Sequence, residues 1–198
     1  KPKMLDESPA ELIKHFEHPN GWWRDTAQRL LVLSQDRSVV PQLKTMVKNS
    51  KNILARFHAL WSLEGLGALK PELIQELFKD SNPKMRIQAM RAGETLYKAG
   101  NESLGTDYLN LLDDESVDVA IQAMLSANIL KVPTLDTGIK KLLKSNNAKG
   151  IQTIGVQILE PEEVRNWWEI PGSQISDVEK SKLEKGRVIF NELCVQCH

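Results

Sequence analysis

Pro83-Lys84-Met85-Arg86-Ile87-Gln88-Ala89-Met90 is the stretch on which the fold turns. Its end, Ile87-Gln88-Ala89-Met90, returns as Ile121-Gln122-Ala123-Met124 and, more weakly, as Ile151-Gln152-Thr153-Ile154. Upstream, Phe57-His58-Ala59-Leu60 and Thr26-Ala27-Gln28-Arg29-Leu30 align with it. The anchors Ala27, Ala59, Ala89, Ala123 and Thr153 then stand 32, 30, 34 and 30 residues apart. A period of this length with two helices per unit predicts an α-α solenoid, in which each pair buries its apolar face by stacking on the next. The small residue has a physical role. It lets the second helix of a pair approach its neighbour closely, and the bulky residues beside it fill the remaining space.

Outward from this stretch the whole chain reads as helical, because apolar residues recur at helical spacing and alternation is scarce. Ser8 before Pro9, with Glu11 three residues on, is a capping box with proline at the first helical position. Leu12, Ile13 and Phe16 follow on one face. The spacing predicts helices over 9–17, 21–34, 38–49, 52–65, 70–79, 83–99, 102–112, 116–130, 134–145 and 148–159. The breaks between them carry turn residues, as in His18-Pro19-Asn20-Gly21, Gly65-Leu66-Gly67, Ser81-Asn82-Pro83 and Val132-Pro133.

Asn82-Pro83-Lys84-Met85-Arg86-Ile87-Gln88-Ala89 resembles the turn and second-helix start of a HEAT repeat. So does Asn20-Gly21-Trp22-Trp23-Arg24-Asp25-Thr26-Ala27. Asp118-Val119-Ala120-Ile121-Gln122-Ala123 is similar, with Ala120 where the Arg would stand. Tetratricopeptide repeats share the length but need an aromatic pattern absent here. The expected fold is therefore all-α: a HEAT-like superhelix of about five helical pairs over 1–159, then a linker or packing segment over 160–175. A C-terminal helix begins near Ser176, with Val178, Leu183, Val188, Ile189, Phe190 and Leu193 as candidates for burial.

Composition narrows the function. The 198 residues carry 26 Lys+Arg and 26 Asp+Glu, so the formal charge is zero, and this gives no support to a chain-wide nucleic-acid or membrane-surface role. No apolar run approaches the roughly 18–20 residues that span a bilayer, so no direct membrane insertion is expected. The chain opens Lys1-Pro2-Lys3 and stops at His198, which leads us to expect a piece of a longer protein. Two cysteines are too few for a disulfide scaffold, and both lie in Cys194-Val195-Gln196-Cys197-His198.

C-x-x-C-H is the attachment sequence of a c-type haem. Two thiols spaced by two residues can add to the two vinyl groups, and the adjacent imidazole then lies under the iron as its proximal ligand. Cys194 and Cys197 are thus the expected covalent haem ligands, and His198 the expected iron ligand. Gly186 and Phe190 precede the motif with the Gly-x-x-x-aromatic spacing common in the first helix of small cytochromes c. A thioredoxin-like motif would follow a strand, and a structural zinc site would need a fourth ligand nearby. A distal ligand, often Met, would lie after His198, so the chain as given is expected to hold no haem.

Other residues have plainer readings. Trp22-Trp23 and Trp167-Trp168 suit either an interface or local aromatic packing. His58 beside Ala59 reads as a core or groove-lining histidine before a metal or haem ligand. Glu64 and Arg56 are candidates for a polar ladder between repeats. Lys131, Lys140, Lys141, Lys144 and Lys149, against Asp136, could steer an acidic partner, but a solvated helix face is the default. No phosphate loop, nucleophile elbow or Ser/His/Asp set is found.

Taken together, residues 18–31 and 55–67 and the terminal motif resemble the large membrane-bound, sugar-dehydrogenase-like haem proteins of environmental bacteria. The resemblance implies a β-propeller upstream, a HEAT-like array in the middle and a c-type cytochrome domain last. It also implies a periplasmic or other extracytoplasmic site. The family's catalytic residues would lie in the propeller, so none is carried here: this stretch would be non-catalytic and the parent a dehydrogenase. The expected partners are the propeller and cytochrome domains of the same chain. The rival expectation is an interaction module, gripping a protein or peptide on the solenoid's concave face.

Overall fold

The computed structural model describes residues 3–160 and 176–190. The chain divides into two compact units, Lys1–Glu160 and Pro161–His198. The described residues are all-α, with eleven α-helices and no strand. In the first unit these are α1 (Pro9–Lys14), α2 (Gly21–Ser34), α3 (Val40–Asn49), α4 (Ile53–Gly65), α5 (Pro71–Leu77), α6 (Pro83–Lys98), α7 (Leu104–Asn110), α8 (Val117–Ile129), α9 (Leu135–Ser145) and α10 (Lys149–Leu159). Short 3-10 turns extend α1 and α7 and precede α3. The second unit contributes α11 (Asp177–Ile189). No helix among the described residues is long and apolar enough to cross a membrane.

Sequence punctuation explains where the helices begin and end. At Ser8 the capping box forms: the backbone N–H and the hydroxyl donate to the Glu11 carboxylate at 2.8 and 2.6 Å. Asn20, Asn52 and Asn82 cap α2, α4 and α6, each side-chain oxygen accepting an N–H of the first turn. The helices α4, α6 and α8 close with a six-to-one hydrogen bond, from Ala68 to Leu63, Asn101 to Leu96 and Val132 to Ala127. That closure needs a left-handed residue, supplied by Gly67 (φ 59°), Gly100 (φ 99°) and Lys131 (φ 53°).

The helices pack as pairs, α3 with α4, α5 with α6, α7 with α8 and α9 with α10. The second helices also pack in succession, α2 on α4, α4 on α6, α6 on α8 and α8 on α10. Ala27, Ala59, Ala89 and Ala123 lie fully buried in this row, each seven residues after its helix N-cap. In α10 that position is Gly155, which is buried, whereas Thr153 is exposed. The fifth anchor is therefore Gly155 and not Thr153. A Cβ on Gly155 would stand 2.8 Å from Leu143 Cδ2 and 3.1 Å from Ile139 Cγ2 of α9, so the residue must be small for α10 to seat.

A second register runs through the turns. The residue two before each N-cap accepts the N-cap N–H: His18 for Asn20, Ser50 for Asn52, Asp80 for Asn82, Asp114 for Ser116 and Asn146 for Ala148. The residue four after the N-cap reaches back to the end of the preceding segment. Arg24 donates to His18 O and Pro19 O, Arg56 to Val47 O, Arg86 to Asp80 O, and Gln152 to Leu143 O and Asn146 O. Ala120 holds this position in α8 and has no side chain to reach with. Arg56 also pairs with Asp80, and Arg86 with Asp114 at 2.8 Å. Arg56, Asp80, Arg86 and Asp114 thus link three consecutive pairs. Glu64, the other candidate for such a ladder, takes no part in it.

The apolar side chains Val178, Val188, Ile189 and Phe190 of α11 are exposed, contrary to the burial expected from their spacing. The expected buried Leu193 lies outside the described residues.

Two predictions follow from this register. Ala89→Leu and Gly155→Leu each overpack a closed interface and lower the unfolding free energy by about 1–3 kcal/mol in urea titrations, while Thr153→Leu stays within about 0.5 kcal/mol. The second concerns acid. Burial alone would raise the Asp80 carboxyl, but hydrogen bonds from Arg56 and the Asn82 backbone, with the charges of Arg56 and Arg86, hold it below the usual carboxylate range. Its stabilisation is present above the unfolded carboxylate range, near pH 4, and is lost as pH falls through the lower folded value. Urea titrations from pH 5 to pH 2 will show a shallower loss of stability in Asp80→Asn than in the parent chain.

Candidate functional site

The first expected site, Cys194, Cys197 and His198, lies outside the described residues, as do Trp167 and Trp168. Among the described residues no group of three or more His, Cys, Asp or Glu side chains is placed to hold a metal ion. The side chains of greatest chemical interest lie instead along the row of second helices.

A cleft of about 400 Å³ opens between α2 and α4. Asp25, Gln28, Arg29 and Val32 present one stripe of α2 to it, at i, i+3, i+4 and i+7, with Leu33 beside them. Trp61, Glu64 and Gly65 present the matching stripe of α4. Gly65 fixes how closely the helices meet, since a Cβ there would stand 2.9 Å from both methyls of Val32. The end of the cleft is closed by Gln35, which turns at φ 52° and donates to Val32 O and Gly65 O at 2.8 and 3.1 Å.

Polar rungs tie the walls together. His58 Nδ1 lies 2.7 Å from Gln28 Oε1, and Arg24 Nε lies 3.4 Å from His58 Nε2. Arginine can only donate, so Nε2 accepts and the proton sits on Nδ1. The Phe16 ring lies 5.6 Å away and Asp25 Oδ1 3.9 Å from Nε2. Burial pushes the His58 pKa down; the Asp25 charge opposes this and the Arg24 charge adds to it. His58 is thus a neutral, half-buried histidine with both nitrogens engaged. Further along, Trp61 Nε1 donates to Gln88 Oε1 at 2.8 Å, and the Arg91 guanidinium stands over the Trp61 ring at 6.0 Å. Ser126 Oγ, fully buried, donates to Glu94 Oε1 at 2.6 Å and accepts from Gln122.

The other sequence candidates resolve plainly. Trp23 packs between His15 and His18, with ring centroids 5.1 and 5.0 Å away, so it serves the helix-start turn. Trp22 meets Trp23 edge-on at 5.8 Å but is 53% exposed and lines a second pocket, of about 370 Å³, with Lys3, Met4, Leu5 and Asp6. Lys141 pairs with Asp113 at 2.7 Å, and Lys131, Lys140, Lys144 and Lys149 are exposed, as a solvated face requires. Sequence reading missed the cross-helix pairs Gln28–His58, Trp61–Gln88 and Glu94–Ser126. Their separations of 30, 27 and 32 residues lie close to the repeat period and were the available signal.

No protein-family model matches the chain, and no curated protein matches it at a significant level.

A titration tests the His58 assignment. A folded pKa below the unfolded value means that neutral His58 stabilises fully above about pH 6.5 and progressively less as pH falls toward the folded value. Its imidazole resonance will titrate below about pH 6.5, and the stability lost between pH 7 and pH 5 will shrink in His58→Gln.

Proposed function

We propose that the chain is a HEAT-like α-α solenoid serving as a non-catalytic scaffold in a larger extracytoplasmic haem-c oxidoreductase. It would hold a dehydrogenase domain of the β-propeller type and an electron-transfer cytochrome domain at a working distance. The observation that carries the reading is the C-x-x-C-H sequence at Cys194–His198, set directly after a capped helix. Supporting it, the second helices α2, α4, α6, α8 and α10 repeat one register of turn acceptor and small buried residue, and all but α8 add a reaching side chain. A lattice of this kind is stiff because each pair leans on the next.

The donor set suits a c-type haem. Cys194 and Cys197 would form the thioether links and His198 would supply the proximal nitrogen, giving a one-electron centre when the group is bound. Covalent haem attachment in bacteria occurs outside the cytoplasm, which places the parent in the periplasm or at an outer surface.

The test uses the parent protein continuing past His198. Expressed with haem-attachment machinery, it will keep haem through denaturing electrophoresis, and a Cys194→Ala/Cys197→Ala double variant will not. Removal of residues 9–159 will leave haem attachment intact and slow reduction of the haem by the dehydrogenase domain's substrate. Haem retained by the double variant contradicts the assignment of the thiols. An unchanged reduction rate after the deletion contradicts the scaffold role.

A further inference from the structure

We infer that the cleft between α2 and α4 is a recognition site for an arginine side chain of a partner protein. The inference stands independently of the haem reading. Three observations carry it. Two carboxylates, Asp25 and Glu64, face the cleft from opposite helices. Among the described residues the Glu64 side chain has no hydrogen bond or ion pair, and the Asp25 side chain has only the distant His58 nitrogen at 3.9 Å, which is neutral near pH 7. Trp61 supplies an indole wall, and that ring already takes one guanidinium, from Arg91 of α6.

This set matches a guanidinium better than an ammonium. A planar guanidinium can lie against an indole while its N–H groups fork toward carboxylate and amide oxygens. Gln28 at the same wall provides such an amide, although its Oε1 is shared with His58. Val32 and Leu33 line the cleft with aliphatic surface that suits the methylene stem of the incoming side chain. Arg29 stands on the rim, lines the neighbouring pocket as well, and makes no ion pair with either carboxylate. Among the lining residues two carboxylates therefore stand against one cation, with Arg24 and Arg91 just outside the lining. The cleft is open to solvent, so a side chain of a partner can reach it directly.

The experiment follows the Trp61 indole N–H by nitrogen–proton NMR in the 198-residue chain, with the signal assigned through Trp61→Phe. The probe is a blocked peptide bearing one arginine among glycines and serines. Its controls replace the arginine with citrulline, which keeps the shape and removes the charge, or with glutamate. The expected result is a saturable shift with the arginine peptide. Its affinity falls about tenfold in Glu64→Gln and with the citrulline peptide, as loss of a charge-assisted hydrogen bond requires. Glu64 is only half-buried, so Glu64→Gln should keep the fold; an unchanged circular dichroism spectrum and urea midpoint will establish this. Equal binding of the citrulline peptide, preference for the glutamate peptide, or no saturable shift would each overturn the proposal.

Discussion

One carboxylate at a turn joins two neighbouring helical pairs of this structure. Asp80 accepts the N–H of Asn82 at 2.9 Å and so closes the turn that starts α6. The same side chain receives the Arg56 guanidinium from the preceding pair, and its backbone oxygen receives Arg86 at 2.7 Å. Arg86 then passes to Asp114, which closes the next turn in the same way. The Arg86 and Asp114 side chains are only 8% and 10% exposed, and Arg86 also lies 3.8 Å from the exposed Glu115 carboxylate. A buried pair of this kind adds little net stability over an apolar replacement, yet leaving either member alone is costly. Its worth lies in position: it fixes how each turn meets the following one. Arg86 Nε, buried without a partner, shows that the geometry is met at some cost to full hydrogen bonding.

The fold class and the helix boundaries were readable because their signals are local. Ser8-Pro9 with Glu11, the Asn caps and the glycines after α4 and α6 act within a few residues of themselves. The fifth anchor was misread for a related reason. Gln152 looks like the Gln of Ile87-Gln88-Ala89-Met90, which places Thr153 on the Ala. Packing instead counts from the N-cap, and that count puts Gln152 in the place of Arg24, Arg56 and Arg86 and puts Gly155 on the Ala. Likeness of letters gave way to the requirement that the turn carbonyls be satisfied. Arg56 was recognisable as a ladder residue, but its partner Asp80 was not, because the pairing depends on where two helices come to rest.

The candidate sites divide along the same line. C-x-x-C-H is a contiguous motif, so the expectation it raises can be stated from the sequence alone, and the motif lies outside the described residues. The α2–α4 cleft joins two stripes of helix some 30 residues apart, and neither stripe contains a motif. Glu64 drew notice as a ladder candidate and has a different place, its side chain facing the cleft without a partner among the described residues. His58, next to an anchor alanine and read as a core or groove-lining histidine, sits between Phe16, Gln28 and Arg24 and is not among the residues lining the cleft. A scaffold held by repeated internal rungs and a cleft with uncommitted carboxylates are compatible, because the rungs use the turns and the cleft uses the helix faces.

The account turns on the claim that the Arg–Asp rungs couple neighbouring pairs directly. A double-mutant cycle over Arg86→Met and Asp114→Asn, measured by urea unfolding at pH 7, tests it most directly. The asparagine keeps a side-chain oxygen for the Ser116 N–H, so the cycle isolates the rung from the turn. The account predicts a coupling energy of about 1–3 kcal/mol, with the double variant losing clearly less than the two single losses together. Additive losses, within about 0.3 kcal/mol, would mean that the rung is incidental and that the pairs are held by apolar packing alone.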